Sequence, residues 1–177
     1  MAFSQYIVNH LMAILPPTKL YWAKTKLWKI AGVNLDSSVR IISSAKYWGE
    51  GRLSIGKGTF VGHEVVFLTS RSQILIGDEV DIGPRVSIIN GTHEIDMTGS
   101  RTAGEGNSDD IKIENGVWIG ANSTILSGVQ IGQKSIIGAG SVVTNNIPDH
   151  VIAVGIPCRP IKKWQPKSKT WTLVDGY

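Results

Sequence analysis

Four histidines and one cysteine are the side chains here best suited to move a proton or attack near neutral pH. His93 has the most informative setting. It stands in "SIINGTHEIDMTG", residues 87–99, where a regular chain loses its rhythm. Imidazole titrates near neutrality, so His93 can accept a proton and hand it back as a general base. Glu94 or Asp96 could orient the ring, and a backbone carbonyl could equally do so. His63 sits in another block, "VGHEVV", while His10 and His150 have no supporting context.

The rhythm around His93 predicts what must hold it. From Ile113 the chain reads "IENGVW", "IGANST", "ILSGVQ", "IGQKSI", "IGAGSV", "VTNNIP", each opened by an aliphatic residue. The same beat appears earlier in "LDSSVR", "IGKGTF", "VGHEVV", "IGDEVD", "IGPRVS" and "IINGTH". A period of six is neither one helix face nor a simple alternating strand. It fits a coil with flat sides, one block per side and about 18 residues per turn, stacked roughly 4.8 Å apart. The first residue of a block points inward, the small fifth residue fits the corner, and Gly at the second place supplies tight backbone geometry. No block buries its own aliphatic side chain, so stacking makes the core. The expected fold is an all-β parallel β-helix; a β-sandwich would want longer alternating strands. Residues 94–112, polar and Gly-rich, cannot form a side and are expected to leave the coil as a loop.

The ends lack the beat. Residues 1–34 read as a helical cap of two short helices split by Pro16 and Pro17, with Leu20, Trp22 or Ala23, Leu27 and Ile30 at helical spacing. The aromatic-and-Lys face is expected to pack on the coil's open edge, with contact to a membrane surface the less favoured reading. Residues 35–157 form the coil, and residues 158–177 a basic tail that crosses to a neighbour. The net charge of +4 is uneven: +4 over residues 1–35, −4 over the middle, +4 over residues 158–177. Basic ends suit an anionic partner, yet no nucleic-acid-reading motif surrounds them. Cys158, the one cysteine, excludes an internal disulfide framework and fits a reducing, cytoplasmic setting. The apolar stretch "YIVNHLMAIL" is too short to span a bilayer.

The stretch "VWIGANSTILSGVQIGQKSIIGAGSVVTNNIPDHVIAVGIPCRP", residues 117–160, resembles the hexapeptide-repeat acyltransferases, in particular the galactoside, maltose and polysaccharide O-acetyltransferase branch. The marks are "VWIG", "IGAGSVVT", "IP" and "GIPCRP", in that order, with "GTHEI" before them. The resemblance implies a left-handed coil, a homotrimer with clefts between adjacent chains, and acetyl-CoA as donor with no metal required. Handedness comes from the resemblance alone, since crossovers are right-handed by default. The start, "ILPPTKLYWAKTKLWKIAGV", is similar to acetyltransferases of surface-polysaccharide gene clusters.

Carried over residue by residue, the resemblance makes His93 the catalytic base and puts Trp118 near the active site. Ala121 matches a position whose backbone N–H meets the thioester, where the side chain is immaterial. Ala139 and Thr144 in "IGAGSVVT" and Arg159 in "PCRP" match coenzyme positions, and Arg159 and Lys162 can pair with phosphates. Asn145, the next coenzyme position, stands where some relatives have Lys, which removes one charge beside the phosphate. His63 falls about where sugar-acetylating relatives carry an Asn, as an acceptor ligand or oxyanion donor; Asn90 and Arg71 are weaker acceptor candidates. The expected activity is O-acetylation of a sugar hydroxyl, of a bacterial surface polysaccharide or its precursor. An antibiotic or serine O-acetyltransferase is the alternative within the enzymes. A non-catalytic scaffold needs no His at the break, and a zinc lyase of carbonic-anhydrase type needs three histidines at metal-ligand geometry.

Overall fold

The computed structural model describes residues 3–174. Its body is a parallel β-helix of three flat faces. The first face stacks Asn34–Leu35, Leu53–Ile55, Ile74–Ile76, Ile111–Ile113 and Gln130–Ile131. The second stacks Arg40–Ile41, Phe60–Val61, Asp81–Ile82, Trp118–Ile119, Ile136–Ile137 and Val151–Gly155. The third stacks Lys46–Gly49, Val66–Thr69, Ser87–Ile89, Thr124–Ile125 and Val142–Val143. Block-opening residues form columns: Ile41 pairs with Val61, Val61 with Ile82, Ile82 with Ile119, and Ile119 with Ile137. All five are fully buried, and each contributes about 1.5–3 kcal/mol on leaving water. The regular 18-residue coil runs from Ile113 to its partner Ile131; the earlier coils are longer because the corners before Leu53 and Ile74 hold extra residues.

The corners differ from the expectation at one point. Positive φ falls on the fourth residue of the block, not the second: Gly58, Glu64, Glu79, Arg85, Gly116, Asn122, Gly128 and Lys134 all adopt it. The second-place glycines have ordinary φ and serve close approach instead. A Cβ on Gly120 would lie 2.5 Å from the Ala139 amide nitrogen of the next coil. The fifth place is buried as expected. Where it is Ser the hydroxyl is satisfied: Ser123 Oγ donates to the carbonyls of Gly120 and Gly138 at 2.8 and 3.1 Å.

Both ends of the coil are closed. Helix α1 is Phe3–Ile14 and α2 is Tyr21–Ile30, with the two prolines between them. Trp28 plugs the first coil, edge-on to Phe67 at 5.9 Å. The unpaired edge of Lys46–Gly49 is met by side-chain amides. Gln5 Nε2 donates to the Gly49 carbonyl at 2.7 Å, and Asn9 Nδ2 to that of Tyr47 at 3.0 Å. Two polar side chains of α1 thus stand in for a neighbouring strand. The expected packing face of α2 is corrected in part: Leu20, Trp22 and Ile30 are exposed, Ala23 is half-buried, Leu27 packs against the core as expected, and Lys24, Thr25 and Trp28 are buried. Lys24 donates to the Pro16 and Pro17 carbonyls at 2.8 and 2.6 Å, and burial lowers its pKa. At the far end the basic tail folds back on its own chain. Cys158–Gln165 pairs antiparallel with Val151–Gly155, and Thr170–Leu173 pairs with it in turn.

Candidate active site

The break in the rhythm is a hairpin rather than an irregular loop. Gly91–Ile95 pairs antiparallel with Ala103–Ser108, with a register shift between His93 and Ile95. The coil ends at the buried Asn90, so "IINGTH" is not a full side and His93 stands on the hairpin. The coil resumes at Ile111, two residues before the expected restart at Ile113. Gly104 permits the tight pairing: a Cβ there would meet the Glu94 carbonyl oxygen at 3.1 Å. Gly106 pairs with His93, and a Cβ there would meet nothing within 4 Å, which leaves the imidazole uncovered.

His93 is exposed, and its Nδ1 lies 3.0 Å from the Gly104 carbonyl oxygen. A carbonyl only accepts, so Nδ1 carries the hydrogen in this bond, which in the neutral ring makes Nε2 the acceptor. The geometry is that of an imidazole held by the backbone. Neither neighbouring acid orients the ring. Glu94 accepts from Asn107 Nδ2 at 2.7 Å. Asp96 accepts from Thr98 N, Gly99 N and Thr98 Oγ1, and those hydrogen bonds, the backbone ones first, hold its carboxyl below the usual range.

The remaining candidates divide between two corners. At the corner between the third and first faces stand His93, Asn90, Arg71, Thr144 and Asn145. Gly91, Thr92, Asp109, Leu126, Ser127 and Thr144 line an open groove of about 300 Å³ there. Arg71 and Gly91 share a second groove of about 440 Å³. Asn145 is exposed and donates to Thr144 Oγ1 at 2.9 Å. Asn90 is fully buried, and its Oδ1 accepts from Ser70 N at 2.7 Å, so its oxygen pins the corner.

At the corner between the second and third faces stand His63, Ala121 and Ala139. The two alanines sit on successive coils, joined by Gly140 N–H donating to the Ala121 carbonyl at 2.8 Å. Trp118 lies on the outer surface of the second face, 55% exposed. Arg159 and Lys162 lie on the strand paired to the last strand of that face, and Arg159 Nη1 donates to the Cys158 carbonyl at 2.8 Å. His63 lines a groove with Asn9, Ala13 and Pro17 beneath α1, 3.5 Å from Ser44 Oγ at the limit of a hydrogen bond. Within one chain His63 and His93 therefore occupy opposite edges of the third face. Its strands are up to four residues wide, roughly 13 Å. The Gly104 carbonyl and the groove floor at Thr92, Asp109 and Ser127 carry no sequence signal. Burial pushes the Cys158 thiol up, which makes it a packing group rather than a nucleophile.

Residues 110–145 match the bacterial transferase hexapeptide (six repeats) profile. A maltose O-acetyltransferase from Clostridium difficile 630 superposes with a TM-score of 0.63 at 30% identity, over 89% of this chain and 83% of its own. This chain belongs to the hexapeptide-repeat acetyltransferase family. With membership comes the left hand of the coil, shared with the family's β-helices. A hexapeptide-repeat acetyltransferase from Vibrio cholerae O1 biovar eltor, crystallised with acetyl coenzyme A, gives a TM-score of 0.71 at 27% identity, over 92% of this chain and 86% of its own. The galactoside O-acetyltransferase of Lactococcus lactis is 37% identical over 116 residues, 66% of this chain and 55% of that one. The chain spans about half to three-fifths of the length of the curated hexapeptide relatives it matches.

Proposed function

We propose that this chain transfers an acetyl group from acetyl-CoA directly to a sugar hydroxyl, with His93 as general base. The observation that carries the reading is the Gly104 carbonyl on His93 Nδ1, which presents Nε2 as a proton acceptor. The hydroxyl oxygen attacks the thioester carbon while its proton passes to Nε2. The tetrahedral oxyanion is held by backbone N–H, with that of Ala121 in line. The C–S bond then breaks, and the thiolate takes the proton from the imidazolium, leaving an acetyl ester and free coenzyme. Relatives named as galactoside and maltose O-acetyltransferases support the sugar acceptor, and the acetyl-CoA complex of a third relative supports the donor. Ala139, Thr144, Arg159 and Lys162 are assigned to the coenzyme; His63, Trp118 and Arg71 to the acceptor side. The acceptor is a bacterial surface polysaccharide or its precursor, and the reaction is cytoplasmic, where the donor is.

A homotrimer completes the site. One chain offers the base and Thr144 at one edge of the third face, and Ala121, Ala139 and His63 at the other edge. A ring of copies brings the base of one chain to the alanine-lined edge of the next. Leu68, Ile89, Leu126 and Val142 give that face the partly exposed apolar surface such packing needs. The test is an acceptor screen with acetyl-CoA, reading free thiol. Acetylation of a sugar is expected, with His93→Ala slower by about 10²–10⁴-fold while acetyl-CoA still binds. Full turnover in that variant would refute the mechanism.

A further inference from the structure

Helix α1 is apolar on both faces. Its inward face buries Val8 and Met12 in the core, beside Gln5 and Asn9, whose amides pair with strand backbone. Its outward face carries Phe3 at 77% exposed, Ile7 at 40%, Leu11 at 41% and Ile14 at 79%. These recur at helical spacing, so they form one stripe opposite the amides. The helix "FSQYIVNHLMAI" has no charged residue to solvate that stripe. Beside it, Trp22 and Ile30 of α2 are 62% and 68% exposed. The charges of the cap itself have one sign, with Glu64 in the groove beneath α1 and Asp36 near Lys29 as neighbouring acids. Lys19, Lys26 and Lys29 are exposed, Lys24 is turned inward, and residues 3–30 contain no Asp or Glu. Lys26 Nζ lies 5.2 Å from the centre of the Trp22 ring, so a cation and an interfacial aromatic share one place.

We infer that this cap docks on the surface of an anionic lipid bilayer, with α1 lying in the plane of the interface. The stripe enters the headgroup boundary, and Lys19, Lys26 and Lys29 meet acidic headgroups. Charge complementarity and the aromatic content favour a bilayer over a protein partner, because the stripe offers no polar pattern for a protein to read. Contact is peripheral: no helix among the described residues is long and apolar enough to cross a membrane. The expectation of packing on the coil concerned the aromatic-and-Lys face of α2; on α1 it is Val8, Met12 and the amides of Gln5 and Asn9 that meet the coil. The inference does not rest on the acetyl transfer proposed above.

The test is co-sedimentation of the whole protein, without substrates, with phosphatidylcholine vesicles and with vesicles about one-third phosphatidylglycerol. Binding to the anionic vesicles is expected, weakening as salt rises. Replacing Lys19, Lys26 and Lys29 by Gln removes about five-fold per lysine, roughly 100-fold together. The pair Ile7→Glu and Leu11→Glu loses at least about tenfold. A second readout keeps the stripe testable if those variants fold poorly. The native cysteine, Cys158, is buried, so Ile14→Cys takes an environment-sensitive dye at one place. Its emission shifts to the blue on anionic vesicles. Absence of sedimentation with both vesicle types, or no dye shift, overturns the inference. So does a fall in oligomeric mass in the Ile7→Glu, Leu11→Glu protein, which assigns the stripe to a second copy of the chain.

Discussion

Gly120→Ala set against Gly140→Ala separates the two roles glycine plays in this coil. At Gly120 the added Cβ would lie 2.5 Å from Ala139 N, 2.8 Å from Ile137 O and 2.9 Å from Ala139 Cα, all backbone of the next coil. Relief to ordinary contact requires the coils to part by roughly 1 Å. That stretches the bonds from Gly120 N to Ile137 O, now 2.7 Å, and from Gly140 N to Ala121 O, now 2.8 Å, past the useful range. Two ladder bonds at about 1 kcal/mol each, with the packing lost around the gap, give about 3 kcal/mol. At Gly140 the Cβ would meet nothing within 4 Å, and the cost is that of φ +72 alone, about 1 kcal/mol. For a chain of this size the expected falls in Tm are about 6–12 °C and about 2–4 °C. Thermal unfolding followed by circular dichroism, at one protein concentration for all variants, reads both. An equal or larger fall at Gly140, or a fall below about 3 °C at Gly120, would show that second-place glycines do not set the coil spacing.

Three further outcomes follow from the same geometry. His93→Ala and Ala139→Trp proteins should each be inactive alone, yet mixed oligomers made by co-expression should regain thiol release; no recovery would mean that the site lies within one chain. Gln5→Ala with Asn9→Ala leaves the backbone of Tyr47 and Gly49 without its partners. That should cost about 1–3 kcal/mol per buried group in chemical denaturation. Asp110 accepts from the backbone and side chain of Gln73, and those bonds, the backbone one first, lower its pKa. Its contribution is therefore complete above the ordinary carboxylate range and is lost as pH falls through its lower folded value. Amide exchange at Gln73 should quicken across that acid window, and Asp110→Asn should remove the dependence.

The block-opening aliphatics were legible because inward burial acts on every block alike, and a repeated demand leaves a repeated residue. The cap helices were legible from Pro16, Pro17 and the loss of the beat. Their facing was not: helical spacing finds a stripe but does not say which side meets the coil. A strand edge asked for amides, so Gln5 and Asn9 turned inward and Phe3, Ile7 and Ile14 turned out. The fold-back of residues 158–165 was equally hidden, since an exposed basic strand reads like a tail.

The sequence by itself determined the period, the parallel coil, the place of the break and the histidine beside it. These are one-dimensional facts, set by which residue types tolerate burial or a turn. Tertiary structure alone decided that second-place glycines answer the coil above them, and that His93 is held by the Gly104 carbonyl on the returning strand. It also decided that His63 and His93 stand on opposite edges of one face. Each of these depends on backbone atoms or on pairs distant in the chain. Backbone is the same at every residue, so its position leaves no mark in the order of side chains.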